Sequence, residues 1–361
     1  MVHEREEDRN LPENGRRRVL KSKSHNRGPD AGKERAEVSA GLLYCLLMEQ
    51  PEAPHSFKSL SCVVRPTTII DAPRLSRLLQ VSLTIASETF QYTGSFKFRA
   101  AYNVAAGVNE RHIIAASSGN FGQAMAYACK LLGKSCTVVM PDTSAQVKID
   151  GVREYGGEVD LIDVRRQSRA ARMSELASEN PGAYAASAYD DPLVIEGNAS
   201  LGLELGALGR HFDFIVAPVG GGGLTSGIIK GIKESGIFVP IVGAEPLMAN
   251  DAARSFRAGR IVANDDEPQT IADGARTVSV GRHNWEVLRD GLSRIVEVPE
   301  ASIVEGVRLL YGLANLKAEP TGALSIGALL AQPELFRGKS VCCVVSGGNV
   351  DPEVYRTILA G

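Results

Sequence analysis

The sequence has no long apolar run, no excess of either charge and a single tryptophan in 361 residues. No stretch approaches the roughly 20 apolar residues a membrane helix needs. The longest candidate is Ala40 to Met48 with its flanks, so a membrane protein is excluded. Lysine and arginine number 40 against 42 aspartates and glutamates, a net charge of -2. Without a basic surplus the chain lacks the footprint of a nucleic-acid or polyanion binder. The six histidines include no HxxxH or HExxH spacing, and the six cysteines no CxxC pair, which leaves zinc or non-haem iron nothing to bind. Cys45, Cys62, Cys129, Cys136, Cys342 and Cys343 therefore read as reduced core thiols of a cytoplasmic protein.

What is present is the balance of an ordinary globular protein, long enough for about two domains and a cleft between them. Residues 1–58 stand apart: Arg16-Arg17-Arg18, Lys21 and Lys23 are mixed with Glu4, Glu6, Glu7 and Asp8, and almost nothing is apolar before Val38. Such a segment buries too little surface to offset its ordering entropy and reads as a disordered extension. Its opening acids argue against a transit peptide. From Ser59 the pattern becomes short β-branched runs alternating with helical stretches. Ile113–Ser117, Ser135–Met140, Val159–Val164, Phe212–Val219, Ile237–Ala244 and Ser340–Ser346 read as buried strands. Gln123–Leu132, Arg165–Glu179, Leu224–Lys233 and Ala301–Leu316 read as amphipathic helices. That alternation predicts an α/β fold with parallel sheets covered by helices.

Ligands of open parallel sheets sit outside the carboxyl ends of the strands, so chemistry is sought where a strand run gives way to glycine or serine. Ser117-Ser118-Gly119-Asn120 opens a helix that closes at Gly133; its free amides, hydroxyls and carboxamide form an anion site of carboxylate size, unless Ser118 or Asn120 only caps the helix. Gly220-Gly221-Gly222-Gly223 follows an apolar strand and precedes a helix, which lets backbone amides curl around a phosphate. It is no P-loop, since Gly227 is followed by Ile228. Ser346-Gly347-Gly348-Asn349 puts a hydroxyl at a third strand tip, where a turn alone is the plainer reading. Lys97 lies between Phe96 and Phe98 at a helix start that Ser95 is placed to cap. Apolar burial and the positive helix start both disfavour its ammonium form and lower its pKa, as a Schiff-base nucleophile or general base requires.

Lysine, carboxylate loop, phosphate cup and hydroxyl-bearing strand tip, in this order, resemble the fold-type II pyridoxal-phosphate enzymes, in particular the threonine dehydratase and serine racemase branch. The resemblance spans about Val63 to Asp351 and includes Arg65 to Thr68, Glu88, Gln91 to Arg99, Ser117 to Gln123, Pro218 to Gly223, Ile271 to Gly274, Glu319 to Gly322 and Ser346 to Asn349. It implies a two-lobed fold like the tryptophan synthase β-subunit. The large cofactor-binding domain is then residues 59–110 plus 189–361, and a small domain at 111–188 carries the carboxylate loop.

By the same resemblance Lys97 carries the Schiff base to pyridoxal phosphate, Phe96 lines the ring, Asn120 meets the ring hydroxyl, Gly220 to Gly223 hold the phosphate and Ser346 faces the pyridine nitrogen. Ser117, Ser118, Gly119 and Asn120 bind the substrate carboxylate, Arg169 closes over it, and Ser118 is the acid/base of the opposite face. Glu245, the Ala249 carbonyl and Asp251 match a divalent-cation site suited to Mg²⁺ or Ca²⁺. The implied activity is an ammonia-lyase acting on L-threonine, L-serine or a 3-hydroxyaspartate, in a cytoplasmic homodimer whose partner molecules are amino acids. Serine-type racemase and β-replacement synthase stay open as alternatives. Ala86, Phe121, Ala100 and Tyr189 depart from the family pattern, and those departures bear on the substrate. Only a short stretch follows Ser346, so a carboxyl-terminal regulatory domain is expected to be absent.

Overall fold

The computed structural model describes residues 60–117, 119–144 and 146–361. The extension at 1–58, Ala40–Met48 and Ser118 lie outside the described residues.

Among the described residues ten strands form two sheets. The larger has the order β1-β2-β10-β7-β8-β9, from Thr68–Asp71 (β1), Ser82–Ser87 (β2), Phe214–Pro218 (β7), Ile241–Pro246 (β8), Leu292–Val298 (β9) and Ser340–Val345 (β10). The smaller has the order β5-β4-β3-β6, from His112–Ala116 (β3), Ser135–Pro141 (β4), Glu158–Ile162 (β5) and Ala183–Ala186 (β6). Every pairing is parallel except β1 with β2. The expected α/β fold with mostly parallel sheets is the one observed.

Parallel strands are buried on both faces because their crossover helices cover both, and β10 shows it residue by residue. Val341, Cys343 and Val345 enter the core on one face, while Cys342 and Val344 enter the core on the other. Each such valine contributes about 1.5–3 kcal/mol by leaving water. The smaller sheet is covered on one face by the helix Asn120–Leu132, against which Lys97–Gly107 packs, and on the other by the helix Arg169–Glu179. Phe98, Ala101 and Val104 share one core with Ile113, Val138 and Met140. That core also takes in Leu60 and Val64, so packing joins part of 59–110 to the small-sheet lobe.

Among the described residues no helix is long and apolar enough to cross a membrane. Cys129, Cys136, Cys342 and Cys343 are free and buried. Cys62 departs from the reduced-thiol expectation: it is partly exposed and disulfide-bonded.

Candidate active site

The helix Lys97–Gly107 starts beneath the tip of β10. Phe96 donates its backbone N–H to the Ser346 carbonyl at 3.0 Å, and Ser95 bridges Gly347. Ser95 does not cap this helix. Phe96 occupies the N-cap without a side-chain bond, and the Ser95 hydroxyl is buried with no partner. The ammonium of Lys97 lies 5.1 Å from the Phe96 ring centre and 5.6 Å from that of Phe121, and donates to the Ala188 carbonyl at 2.7 Å. Burial lowers its pKa to about 8, against the pull of the Glu319 carboxyl, which raises it. The lysine is thus more often neutral near neutral pH than a solvated lysine, and the neutral form is the one that attacks a carbonyl.

Two residues behind Lys97, Arg99 is fully buried and anchors the helix. It bonds Glu88 at 2.8 Å and Glu204 at 2.7 Å, with further bonds to Thr67 and Ser200. This network fixes the helix start that aims Lys97.

The second wall is the start of helix Asn120–Leu132. Gly119 is its N-cap, with no side-chain cap bond, so Asn120 does not serve as a cap. The Ser117 hydroxyl accepts from the Gly119 N–H at 3.2 Å, which closes the loop into a tight turn. Asn120 instead turns inward. Its Nδ2 donates to Glu319 at 2.8 Å, and its Oδ1 accepts from Asn349 at 2.8 Å. Glu319 is a site residue that sequence reasoning missed, although the run Glu319 to Gly322 stands among the resembling motifs. Burial, with Asp273 adding to it, pushes its pKa up to about 8.

The glycine loop closes the third side, between β7 and the helix Gly223–Glu234. Gly222 has φ +96°, a conformation that a side chain disfavours. A Cβ on Gly221 would run into the Tyr189 ring, and one on Gly220 would lie 2.9 Å from the Ala275 Cα. Only bare backbone fits at these two positions. Asn284 pins the loop by donating to the Gly221 carbonyl at 2.7 Å and the Tyr189 carbonyl at 3.0 Å. The Ser346 hydroxyl is buried with no hydrogen-bond partner, an expensive state unless a ligand supplies one.

Hydrogen bonds and close contacts therefore bring Lys97, Phe96, Asn120, Ser117, the glycine loop and Ser346 into one neighbourhood. Arg169 opens the helix Arg169–Glu179, pairs with Glu267 at 3.0 Å and is within electrostatic range of Tyr189. Glu245, Ala249 and Asp251 form a separate cluster at the end of β8. Both Glu245 oxygens accept backbone N–H groups, from Ala252 at 2.8 Å and Ala253 at 2.7 Å. Asp251 has one buried oxygen without a partner, and burial pushes its pKa up to about 7. Among the described residues no group of three or more His, Cys, Asp or Glu side chains is gathered to hold a metal ion.

A half-buried amine among aromatic rings, a bare glycine loop and an unpartnered buried hydroxyl at a strand tip thus lie together in an α/β fold. The family model described as pyridoxal-phosphate dependent enzyme matches residues 60–347, and the chain belongs to that family. It is 36% identical over 292 residues to a beta-hydroxyaspartate dehydratase of Paracoccus denitrificans, covering 80% of this chain and 92% of that one. It is 31% identical to a serine racemase of Schizosaccharomyces pombe, with 81% and 92% covered. Among solved structures, a threonine deaminase from T.th. superposes with a TM-score of 0.77 at 36% identity, covering 82% of this chain and 96% of that one.

Proposed function

We propose that this protein is a pyridoxal-phosphate-dependent ammonia-lyase that converts a β-hydroxy amino acid, with 3-hydroxyaspartate the leading candidate, into a keto acid and ammonia. The observation that carries the reading is the Lys97 amine held between the Phe96 and Phe121 rings on the Ala188 carbonyl, next to the Tyr189 whose ring packs on Gly221. The relatives support the substrate class.

In this reading Lys97 holds the cofactor through Nζ, the amides of Gly220 to Gly223 take its phosphate, Asn120 its ring hydroxyl, Phe96 its ring face and Ser346 its ring nitrogen. Bound pyridoxal phosphate supplies an electron sink for the substrate Cα. A serine hydroxyl is too weak an acid to keep a ring nitrogen protonated, so Ser346 moderates that sink and favours loss of a β-substituent over transamination. Ser117 with the amides of Gly119 and Asn120 orients the substrate carboxylate at a helix start. With the cofactor bound, Lys97 would be the group placed to take the substrate Cα proton at Nζ. Its depressed pKa keeps it neutral enough to do so.

The test is keto-acid release by the holoenzyme from L-serine, L-threonine and 3-hydroxyaspartate. Release from none of them ends the reading. Racemisation is a second reading, favoured by the 31% identity to a serine racemase, and chiral analysis of the remaining amino acid detects it.

The reading extends to a divalent cation, Mg²⁺ or Ca²⁺, at Glu245, the Ala249 carbonyl and Asp251. The unpartnered Asp251 oxygen supports it, as does the mutual repulsion that raises the Glu245 pKa beyond the effect of burial. A chelator that leaves both melting temperature and activity unchanged removes the cation from the account. A homodimer in the cytoplasm completes the reading. Both the dimer and the compartment rest on the family resemblance, and the dimer is tested by light scattering.

A further inference from the structure

Resting on the ammonia-lyase reading, we propose that Lys148 selects substrates bearing a second carboxylate, and that Asp273 occupies its ammonium until such a substrate enters.

Lys148 projects from the small-sheet helix Gln146–Glu154 and meets Asp273 at 2.5 Å. The two partners come from different elements around the site. A Cβ built on Gly119 would lie 3.6 Å from the Lys148 ammonium, so the cation lies against the carboxylate loop. Asp273 opens the short turn Asp273–Ala275, and that turn packs on the glycine cup: the Gly274 carbonyl and the Ala275 Cα lie 3.2 and 2.9 Å from a Cβ on Gly220. Glu319 is within electrostatic range of both partners and of Lys97. The ion pair therefore links the carboxylate loop to the turn that packs on the glycine loop, within electrostatic range of Glu319.

The lysine side chain is 16% exposed and the aspartate 38%. Ion pairs with a partner this exposed are worth little, so Asp273 is readily exchanged for another carboxylate. In 3-hydroxyaspartate the two carboxylates are joined only through the α and β carbons. When the first sits on the loop at Ser117 and Asn120, the second falls within reach of a cation held against that loop. Serine and threonine carry no charge there and leave the Lys148–Asp273 pair intact.

The experiment measures kcat/KM of holoenzyme on 3-hydroxyaspartate, L-serine and L-threonine for the parent protein, Lys148→Gln and Asp273→Asn. Lys148→Gln is expected to lose about 10- to 100-fold on 3-hydroxyaspartate alone, the worth of one charge-assisted hydrogen bond. Equal loss on all three assigns Lys148 to the shared carboxylate or to closure and overturns the proposal, as does no loss. A second readout needs no turnover: succinate should raise the melting temperature more than butyrate in the parent protein, and equally little in Lys148→Gln. Asp273→Asn, which removes the internal competitor, should strengthen the succinate effect; weakening it counts against the proposal and covers the case in which Lys148→Gln folds poorly. If the parent protein releases keto acid from no substrate, the lyase reading fails, and the succinate comparison still decides the role of Lys148.

Discussion

Asn120 donates from its side-chain amide to the Glu319 carboxyl at 2.8 Å, across the gap between the two sheets. The bond joins residues 199 positions apart and places a buried carboxyl within electrostatic range of Lys97. Each group opposes the other's burial: the lysine lowers the Glu319 pKa and the glutamate raises that of Lys97, while burial pushes both the other way. Both titrate near pH 8, where proton exchange at the site costs least.

That shift makes stability depend on pH. The folded protein holds the Glu319 proton up to about pH 8, whereas the unfolded chain releases it near 4.5. Between those values the folded state binds more protons, so this contribution is full below the lower value and is lost as pH rises through the upper one. Glu319→Gln keeps an acceptor for Asn120 and removes the titration. For cofactor-free protein, the melting temperature of the variant should match the parent near pH 4.5 and gain on it by a few degrees toward pH 8. A constant offset across the range would show that Glu319 does not titrate there.

Lys97→Ala removes the amine that the rings of Phe96 and Phe121 surround. Parent protein mixed with pyridoxal phosphate should show an absorbance band near the visible edge that borohydride fixes covalently. The variant should show no fixed label, and keto-acid release should fall by at least about 10²–10⁴-fold. A label retained by the variant would move the Schiff base to another lysine.

The glycine loop is tested by filling it. Gly221→Ala drives a methyl group into the Tyr189 ring, and Gly220→Ala places one 2.9 Å from the Ala275 backbone. Cofactor titration should show each variant binding pyridoxal phosphate at least about tenfold more weakly, equivalent to about 1.4 kcal/mol, with the far-ultraviolet dichroism unchanged. Unaltered affinity in both would take the phosphate elsewhere.

Strand β10 is legible in the sequence because Val341 to Val345 is apolar throughout, as burial on both faces demands. Strand β6 is not, since Ala183–Ala186 reads AYAA and alanine favours helices; pairing with β3 imposes the extended form. Strand β9 hides for another reason: Arg294 and Glu297 interrupt its apolar pattern, which an edge position allows. The helix expected from Arg165 begins at Arg169, where the Ser168 hydroxyl accepts from the Ala171 N–H and sets the start; Asp163 meanwhile holds Arg165 in a preceding turn. Lys97 and the glycine loop stand out locally, through flanking aromatics and backbone freedom. Glu319 carries no local sign of its role, because its partners come from Asn120, Lys148 and Asp273, and only the closed fold assembles them.

Arg99 gives the sharpest stability test. Its guanidinium is fully buried and paired with Glu88, itself fully buried, and with Glu204, whose side chain is 21% exposed. Arg99→Leu leaves Glu88 as an uncompensated buried charge, since water can reach Glu204 far more easily. The expected cost is about 3–5 kcal/mol in urea unfolding. Replacing both partners, as Arg99→Leu with Glu88→Leu, removes the stranded charge and should recover a large part of that loss, because apolar side chains often substitute for a buried ion pair at little cost. If the double variant is as unstable as the single one, the network acts mainly through its bonds to Thr67 and Ser200, which both variants break. The same pair of variants separates stability from aim. Arg99 follows Lys97 by two residues, so a double variant that regains stability but not cofactor labelling would show that the network also positions the lysine.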